Sequence, residues 1–246
     1  MTLNTIEQAD YRDFISTIPD KSIDLLLTDP PYNASNSRLS ADGNYKTMNE
    51  NWDKGFDPSI FVNMIMPKLR DNGQMLIFCS YHLLGDYLKL LIAELKDTFI
   101  NGYKERVGTY IEWKQILHWY KTNSLPSLTG KLYGFAIEYI LWYTKSKEYT
   151  FNKSQRASYL NVFESQAGFY KCTDHPNEKD LGLVRQLIRT HSLPSDTVCD
   201  LFMGSGTTAV ACKESDRNFI GCEINPHWVE VAYHRIKNCN KQGELL

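Results

Sequence analysis

Apolar positions gather in short, nearly continuous runs set between stretches of helical spacing. Residues 23–28 (Ile-Asp-Leu-Leu-Leu-Thr), 74–79 (Gln-Met-Leu-Ile-Phe-Cys), 197–202 (Thr-Val-Cys-Asp-Leu-Phe) and 219–223 (Phe-Ile-Gly-Cys-Glu) read as strands buried on both faces. Residues 116–120 and 137–143 read as further strands. Helical spacing marks residues 6–18, 58–70, 83–96, 181–190, 209–213 and 226–237. Pro58 suits an early helical position, and Asp180 can cap the helix that follows it. Two stretches break the pattern. Residues 34–56 are polar and read as a long mobile loop, the kind that serves a neighbouring site. Residues 146–174 are polar and irregular. Strands alternating with helices predict an α/β fold, a doubly wound and mostly parallel sheet in one domain spanning 1–246.

Composition narrows the picture. Apolar content is 42%, ordinary for a globular chain. No run approaches the length of a membrane span, and Met1-Thr2-Leu3-Asn4-Thr5 has neither basic patch nor apolar stretch. The expectation is a cytoplasmic protein without membrane contact. The six cysteines form no Cys-x-x-Cys pair, so no metal site is expected and a reducing compartment fits. The net charge is −2, but its distribution is uneven. Residues 101–160 hold nine Lys or Arg against four Glu, interleaved with Trp113, Trp119, Trp142 and many tyrosines. That mixture suits a nucleic-acid groove.

The candidate chemistry sits at two strand ends. Asp29-Pro30-Pro31-Tyr32 follows the first buried run. The prolines fix φ and push the residue before each of them out of the α region. The outcome is a stiff corner that presents a carboxylate, the Pro30 carbonyl and a flat ring. The ring can stack on a planar group while the two oxygens accept the N–H bonds of its amine. The second strand end is Asp200-Leu201-Phe202, followed by Met203-Gly204-Ser205-Gly206-Thr207-Thr208 and a helix. Strand, glycine turn, helix is a nucleotide-binding crossover, and Glu223 ends the next strand where a carboxylate can take ribose hydroxyls. The turn has no lysine and lacks the third glycine of the dinucleotide fingerprint.

Together these motifs resemble the DNA amino-methyltransferases that use S-adenosylmethionine. Asp-Pro-Pro-Tyr matches the family's catalytic motif, and Phe202–Thr207 its cofactor motif. Three further pieces are similar: Trp119-Tyr120-Lys121-Thr122-Asn123-Ser124-Leu125-Pro126, Glu138-Tyr139-Ile140-Leu141, and His175-Pro176-Asn177-Glu178-Lys179. Ile137 stands where the family has His, and Asp180 where it has Pro. The catalytic motif precedes the cofactor motif, a circularly permuted order that resembles the beta group. The resemblance implies a Rossmann-like methyltransferase fold with a seven-stranded sheet. It implies S-adenosylmethionine held by Asp200, Phe202, Gly204, Ser205, Gly206, Thr207, Thr208, Glu223, His175 and Lys179. Asp29, Pro30, Pro31 and Tyr32 become the catalytic set, with Asn33, Lys121 and Asn123 on the substrate side. Asp10 is an expected further acid of the pocket, with a helix-surface acid as the other reading. The implied reaction is methylation of the adenine amine in duplex or single-stranded DNA, by base flipping. Cytosine N4 and an inactive DNA-binding protein stand as alternatives. A homodimer, a partner restriction endonuclease and a short target reader at about 147–173 complete the expectations.

Overall fold

The computed structural model describes residues 1–31, 56–81, 83–90, 112–124, 131, 133–153, 160–165, 173–175 and 177–239. In chain order the elements are β1 (Thr5–Gln8), α1 (Tyr11–Thr17), β2 (Ile23–Thr28), α2 (Pro58–Ile65), β3 (Leu69–Cys79) and α3 (residues 83–90). Then come β4 (Glu112–Lys121), β5 (Ile137–Thr144), β6 (Val162–Ser165), α4 (Leu181–His191), β7 (Thr197–Asp200), α5 (Thr207–Glu214), β8 (Asn218–Glu223) and α6 (Pro226–Asn238).

One sheet of eight strands carries the fold, in the order β1-β8-β7-β2-β3-β5-β4-β6. Pairs from β1 through β3 are parallel. β5 runs antiparallel to both β3 and β4, and β6 is parallel to β4. The alternation of side chains explains the continuous apolar runs. Leu26, Met75, Ile77 and Cys199 face one layer, built on Phe14, Ile15, Phe61 and Ile65 from α1 and α2. Leu25, Leu27, Leu76, Phe78 and Val198 face the other, built on Val184, Leu187, Ile188, Ala209 and Ala232 from α4, α5 and α6. Each central strand is therefore buried on both sides.

Among the described residues the sheet has eight strands where seven were expected. Its two edge strands, β1 and β6, have four residues each and bury little, so neither carries a readable apolar period. The expected helix over 6–18 is a strand and a shorter helix. Residues 5–8 pair with β8, and Asp10 starts α1 by accepting from the Arg12 backbone N–H at 2.9 Å. Asp10 is thus an N-cap, also held by the Arg12 guanidinium. The expected helix over 58–70 stops at Ile65. A 3₁₀ turn containing Pro67 follows, and β3 begins at Leu69. Proline supplies no backbone N–H to extend the helical ladder. Of the irregular segment 147–173, residues 162–165 are scaffold, because β6 extends the sheet beside β4. Residues 154–159 and 166–172 lie outside the described residues, as does the loop at 34–56 apart from Phe56. Among the described residues no helix is long and apolar enough to cross a membrane, and no cluster of His, Cys, Asp or Glu could hold a metal ion.

Candidate active site

A cleft opens over the carboxyl ends of β2 and β7, the place where parallel α/β sheets bind ligands. Thr28, Asp29, Phe78, His175, Lys179, Asp200 and the turn from Phe202 to Thr208 line it. Thr28 and Asp200, at the two strand ends, lie 172 residues apart and meet because β2 and β7 are neighbours, with Leu25 opposite Val198 and Leu26 opposite Cys199.

Asp200 ties the two strand ends together. Its Oδ1 accepts from the Thr28 hydroxyl at 2.8 Å and from the Phe202 N–H at 3.1 Å. Its Oδ2 accepts from the Thr208 hydroxyl at 2.6 Å. The Thr28 oxygen in turn accepts from the Leu201 N–H at 3.2 Å. Burial raises the Asp200 carboxyl to about 6, against the pull of these hydrogen bonds. The Thr208 proton is committed to Asp200, so this hydroxyl holds the acid in place rather than serving as a spare donor. Phe202 packs into an aromatic cluster with Tyr11, Phe56 and Phe61, at centroid distances of 5.1, 5.9 and 6.1 Å.

The glycine turn needs its glycines. Gly204 sits at φ 50° and Gly206 at φ 84°, in the left-handed region. A Cβ on Gly204 would lie 3.1 Å from His175 Nε2, and one on Gly206 would lie 2.7 Å from Ala232 Cβ. The first glycine therefore keeps the cleft floor open beside an imidazole. The second lets α5 start against α6. The Glu223 carboxylate accepts from the Gly204 N–H and from the Asn225 N–H, both at 2.9 Å. It braces the turn from the adjacent strand end.

Arg235 of α6 pairs with Glu178 at 3.1 Å, and both side chains are nearly inaccessible. The same guanidinium donates to the Ser205 carbonyl at 2.9 Å, to the Ser205 hydroxyl at 2.8 Å and to the Thr207 hydroxyl at 3.2 Å. Glu178 also accepts from the Thr173 hydroxyl at 2.5 Å. Arg235 thus clamps the His175–Lys179 segment to the glycine turn. Glu178 occupies a variable place in the family-like motif, and only its burial reveals its part.

Asp29 stands half-buried at the end of β2, with Pro30 and Pro31 buried behind it. Lys179 Nζ lies 2.5 Å from its Oδ2. Burial pulls the Lys179 ammonium down, but Asp29 and Glu138 outweigh this and hold it above the ordinary lysine value. Lys121 bonds Glu138 at the ends of β4 and β5. Asn123 is exposed in the turn after β4, and neither Lys121 nor Asn123 lines the cleft. Tyr32 and Asn33 lie outside the described residues. The cleft therefore offers an acid beside a proline corner at one side and a glycine cradle at the other.

Comparison with known proteins points the same way. A family model described as DNA methylase matches residues 23–234. The type II methyltransferase M.HinfI of Haemophilus influenzae is 28% identical over 96% of this chain and 68% of its own length. M1.MboII of Moraxella bovis is 28% identical over 94% of this chain and 96% of its own. Among solved structures, the M1.HpyAVI–SAM complex is 30% identical with a TM-score of 0.66, covering 94% of this chain and 98% of that one. The PvuII cytosine-N4-specific DNA methyltransferase, at 19% identity and a TM-score of 0.69 over 96% of this chain and 90% of that one, shares the fold.

Proposed function

The chain belongs to the DNA methylases that use S-adenosylmethionine, and we propose that its acceptor is the exocyclic amine of adenine in DNA. The observation that carries this reading is the Asp29 carboxylate, fixed at the end of β2 and opening onto the same cleft as the glycine turn. The residue type supports adenine over cytosine, since cytosine-directed members of the resembled family more often begin the tetrapeptide with Ser.

S-adenosylmethionine supplies a methyl group activated on a positively charged sulfur. The turn from Phe202 to Thr208, with Asp200 and His175, forms the cradle on its side of the cleft, because Gly204 leaves the space a side chain would fill. The obstacle to transfer is the amine, whose lone pair is delocalised into the ring. In our reading the Asp29 carboxylate and the Pro30 carbonyl accept the two amine N–H bonds and draw the nitrogen toward a tetrahedral geometry. The carboxylate also faces the positive charge that builds on that nitrogen, so prepared electrostatics and positioning do most of the work. The base must leave the duplex stack to reach the corner, and Tyr32 is the proposed stacking partner. A homodimer, a cognate nuclease and a short target reader remain proposals of the same resemblance.

The test is nucleoside mass spectrometry after incubation with S-adenosylmethionine and unmethylated DNA, duplex and single-stranded, with Asp29→Ala as control. Methyl on the adenine amine, absent in the control, is the expected result. Methyl on the cytosine amine would replace adenine with cytosine. No methyl on either base, with cofactor bound, would overturn the reading.

A further inference from the structure

Charges alternate away from Asp29 across the sheet. Lys179 Nζ lies 2.5 Å from Asp29 Oδ2 and 3.4 Å from Glu138 Oε2. Lys121 bonds the other Glu138 oxygen. The four groups come from the end of β2, the segment before α4, β5 and β4. Aromatic faces close the ladder off from below, with Phe78 5.3 Å from the Lys179 ammonium and Trp119 4.8 Å from that of Lys121. The Lys179 side chain is only 11% exposed and that of Glu138 17%. Charges this far from water persist only when each is matched by its neighbours.

We propose that Lys179 is the positioning residue of Asp29: it holds the catalytic carboxylate in orientation, and Glu138, steadied by Lys121, holds Lys179. This rests on the adenine-methylation reading of the site, but assigns Lys179 to the acceptor side rather than to the cofactor. An ammonium has three donors and no acceptor, and its two carboxylate contacts here are to Asp29 and Glu138, whereas the glycine turn is braced by Glu223 and Arg235. A lysine that served the cofactor directly would not need a second buried acid behind it.

The chemical consequence follows from the neighbours of Asp29. Asp200 on β7 repels it. The charge of Asp29 also reaches Cys79 on β3 and Tyr87 on α3, and both stay neutral at pH 7, since burial pushes Cys79 up to about 12 and Tyr87 well above its ordinary value. Glu138 on β5 is a further acid, held ionised by Lys179 and Lys121 against the effect of burial. Among the described residues Lys179 is a cation that meets Asp29 directly, and it favours the carboxylate as an anion that accepts hydrogen bonds. With Lys179 removed, Asp29 would lose a close cation that favours its charged form.

The experiment compares wild type, Lys179→Met, Lys179→Arg and Glu138→Gln. It reads kcat against pH with DNA, S-adenosylmethionine affinity by calorimetry, and the Asp29 carboxyl titration by carbon-13 NMR. We expect Lys179→Met to lose about tenfold or more in kcat, with its acid limb moved up by about one pH unit or more and cofactor affinity within twofold. Lys179→Arg should restore most of the rate, and Glu138→Gln should fall between. An unmoved acid limb, or a loss confined to cofactor affinity, would overturn the proposal. The NMR titration needs no turnover. An Asp29 that titrates lower in wild type than in Lys179→Met upholds the pairing even if the DNA reading fails, and equal titration defeats the pairing even if DNA is methylated. Melting curves identify a variant that fails to fold, and Lys179→Arg with Glu138→Gln then decide the matter.

Discussion

The ladder between β3 and β5 has a buried polar set at each end, and the two are built on opposite principles. At the cleft end, Lys179 and Glu138 carry full charges beside Asp29. At the far end, Gln74 sits opposite Thr144 and gathers a neutral box. Its amide donates to the Thr150 and His191 carbonyls at 2.8 and 2.9 Å, and its oxygen accepts from Trp142 Nε1 at 2.9 Å. His191 packs edge-on to Trp142 and Phe151, and burial drives its imidazole down to about 3. One set pairs the Gln74 amide and the Trp142 indole with neutral partners. The other accepts the desolvation of ions, which adds little to stability unless geometry is very good. A protein keeps that second arrangement where a charge has work to do.

The largest expected effect breaks the charged end. Asp29→Ala should cut kcat by about a hundredfold or more while cofactor binding by calorimetry is retained. An active variant would remove Asp29 from the chemistry. Gly204→Val sharpens the contrast between charge and shape within the same cleft. It alters no ion, but its side chain would press on His175 and strain φ 50°, so cofactor affinity should fall by about tenfold or more. Unchanged affinity would show that the turn does not face the cofactor. Gln74→Leu breaks the neutral end. It strands Trp142 Nε1 and two carbonyls, which should cost about 1–3 kcal/mol, roughly 2–4 °C of Tm per kcal/mol in a chain of this size. The pH profile of kcat should not move, and a shift would mean that the two ends communicate.

The smallest effect is a slope. His191 titrates near 3 when folded and about 6.5 when unfolded, so its contribution is present above about 6.5 and is lost as pH falls. Asp200 is raised to about 6, so its contribution is present below its unfolded value of about 3.8 and is lost as pH rises through 6. Between about pH 4 and 6 the two oppose each other. Asp200→Asn removes the opposing group. Its unfolding free energy should then fall by about 1.4 kcal/mol per pH unit more steeply than wild type across that window, as urea titrations would read. Parallel slopes would mean that Asp200 does not hold its proton unusually well.

The legible parts of the sequence were those whose physics is local. Central strands announced themselves because both faces are buried, as in Leu25-Leu26-Leu27. Asp180 caps α4 as its position suggested, accepting from the Leu183 N–H at 2.6 Å. Edge strands β1 and β6 gave no period, since a strand paired on one side with few buried residues looks like any polar segment. In the site, the motifs marked which residues gather but not whom they touch. Glu178 and Arg235 are 57 positions apart, and Lys179 reaches Asp29 from the other half of the chain. Partnerships of that kind are set by the strand order, which no short window contains.

The Thr28 hydroxyl, hydrogen-bonded to Asp200, joins two strand ends that are neighbours in space and remote along the chain. The bond depends on lateral adjacency and is indifferent to which strand is made first. The ends of the described chain are close as well, since the Tyr233 hydroxyl both donates to the Ile6 carbonyl and accepts from its N–H. A chain rejoined across that gap and reopened in a surface connection elsewhere would rebuild the same cleft. The site is a property of the woven sheet, and the order in which its strands are made is what it leaves free.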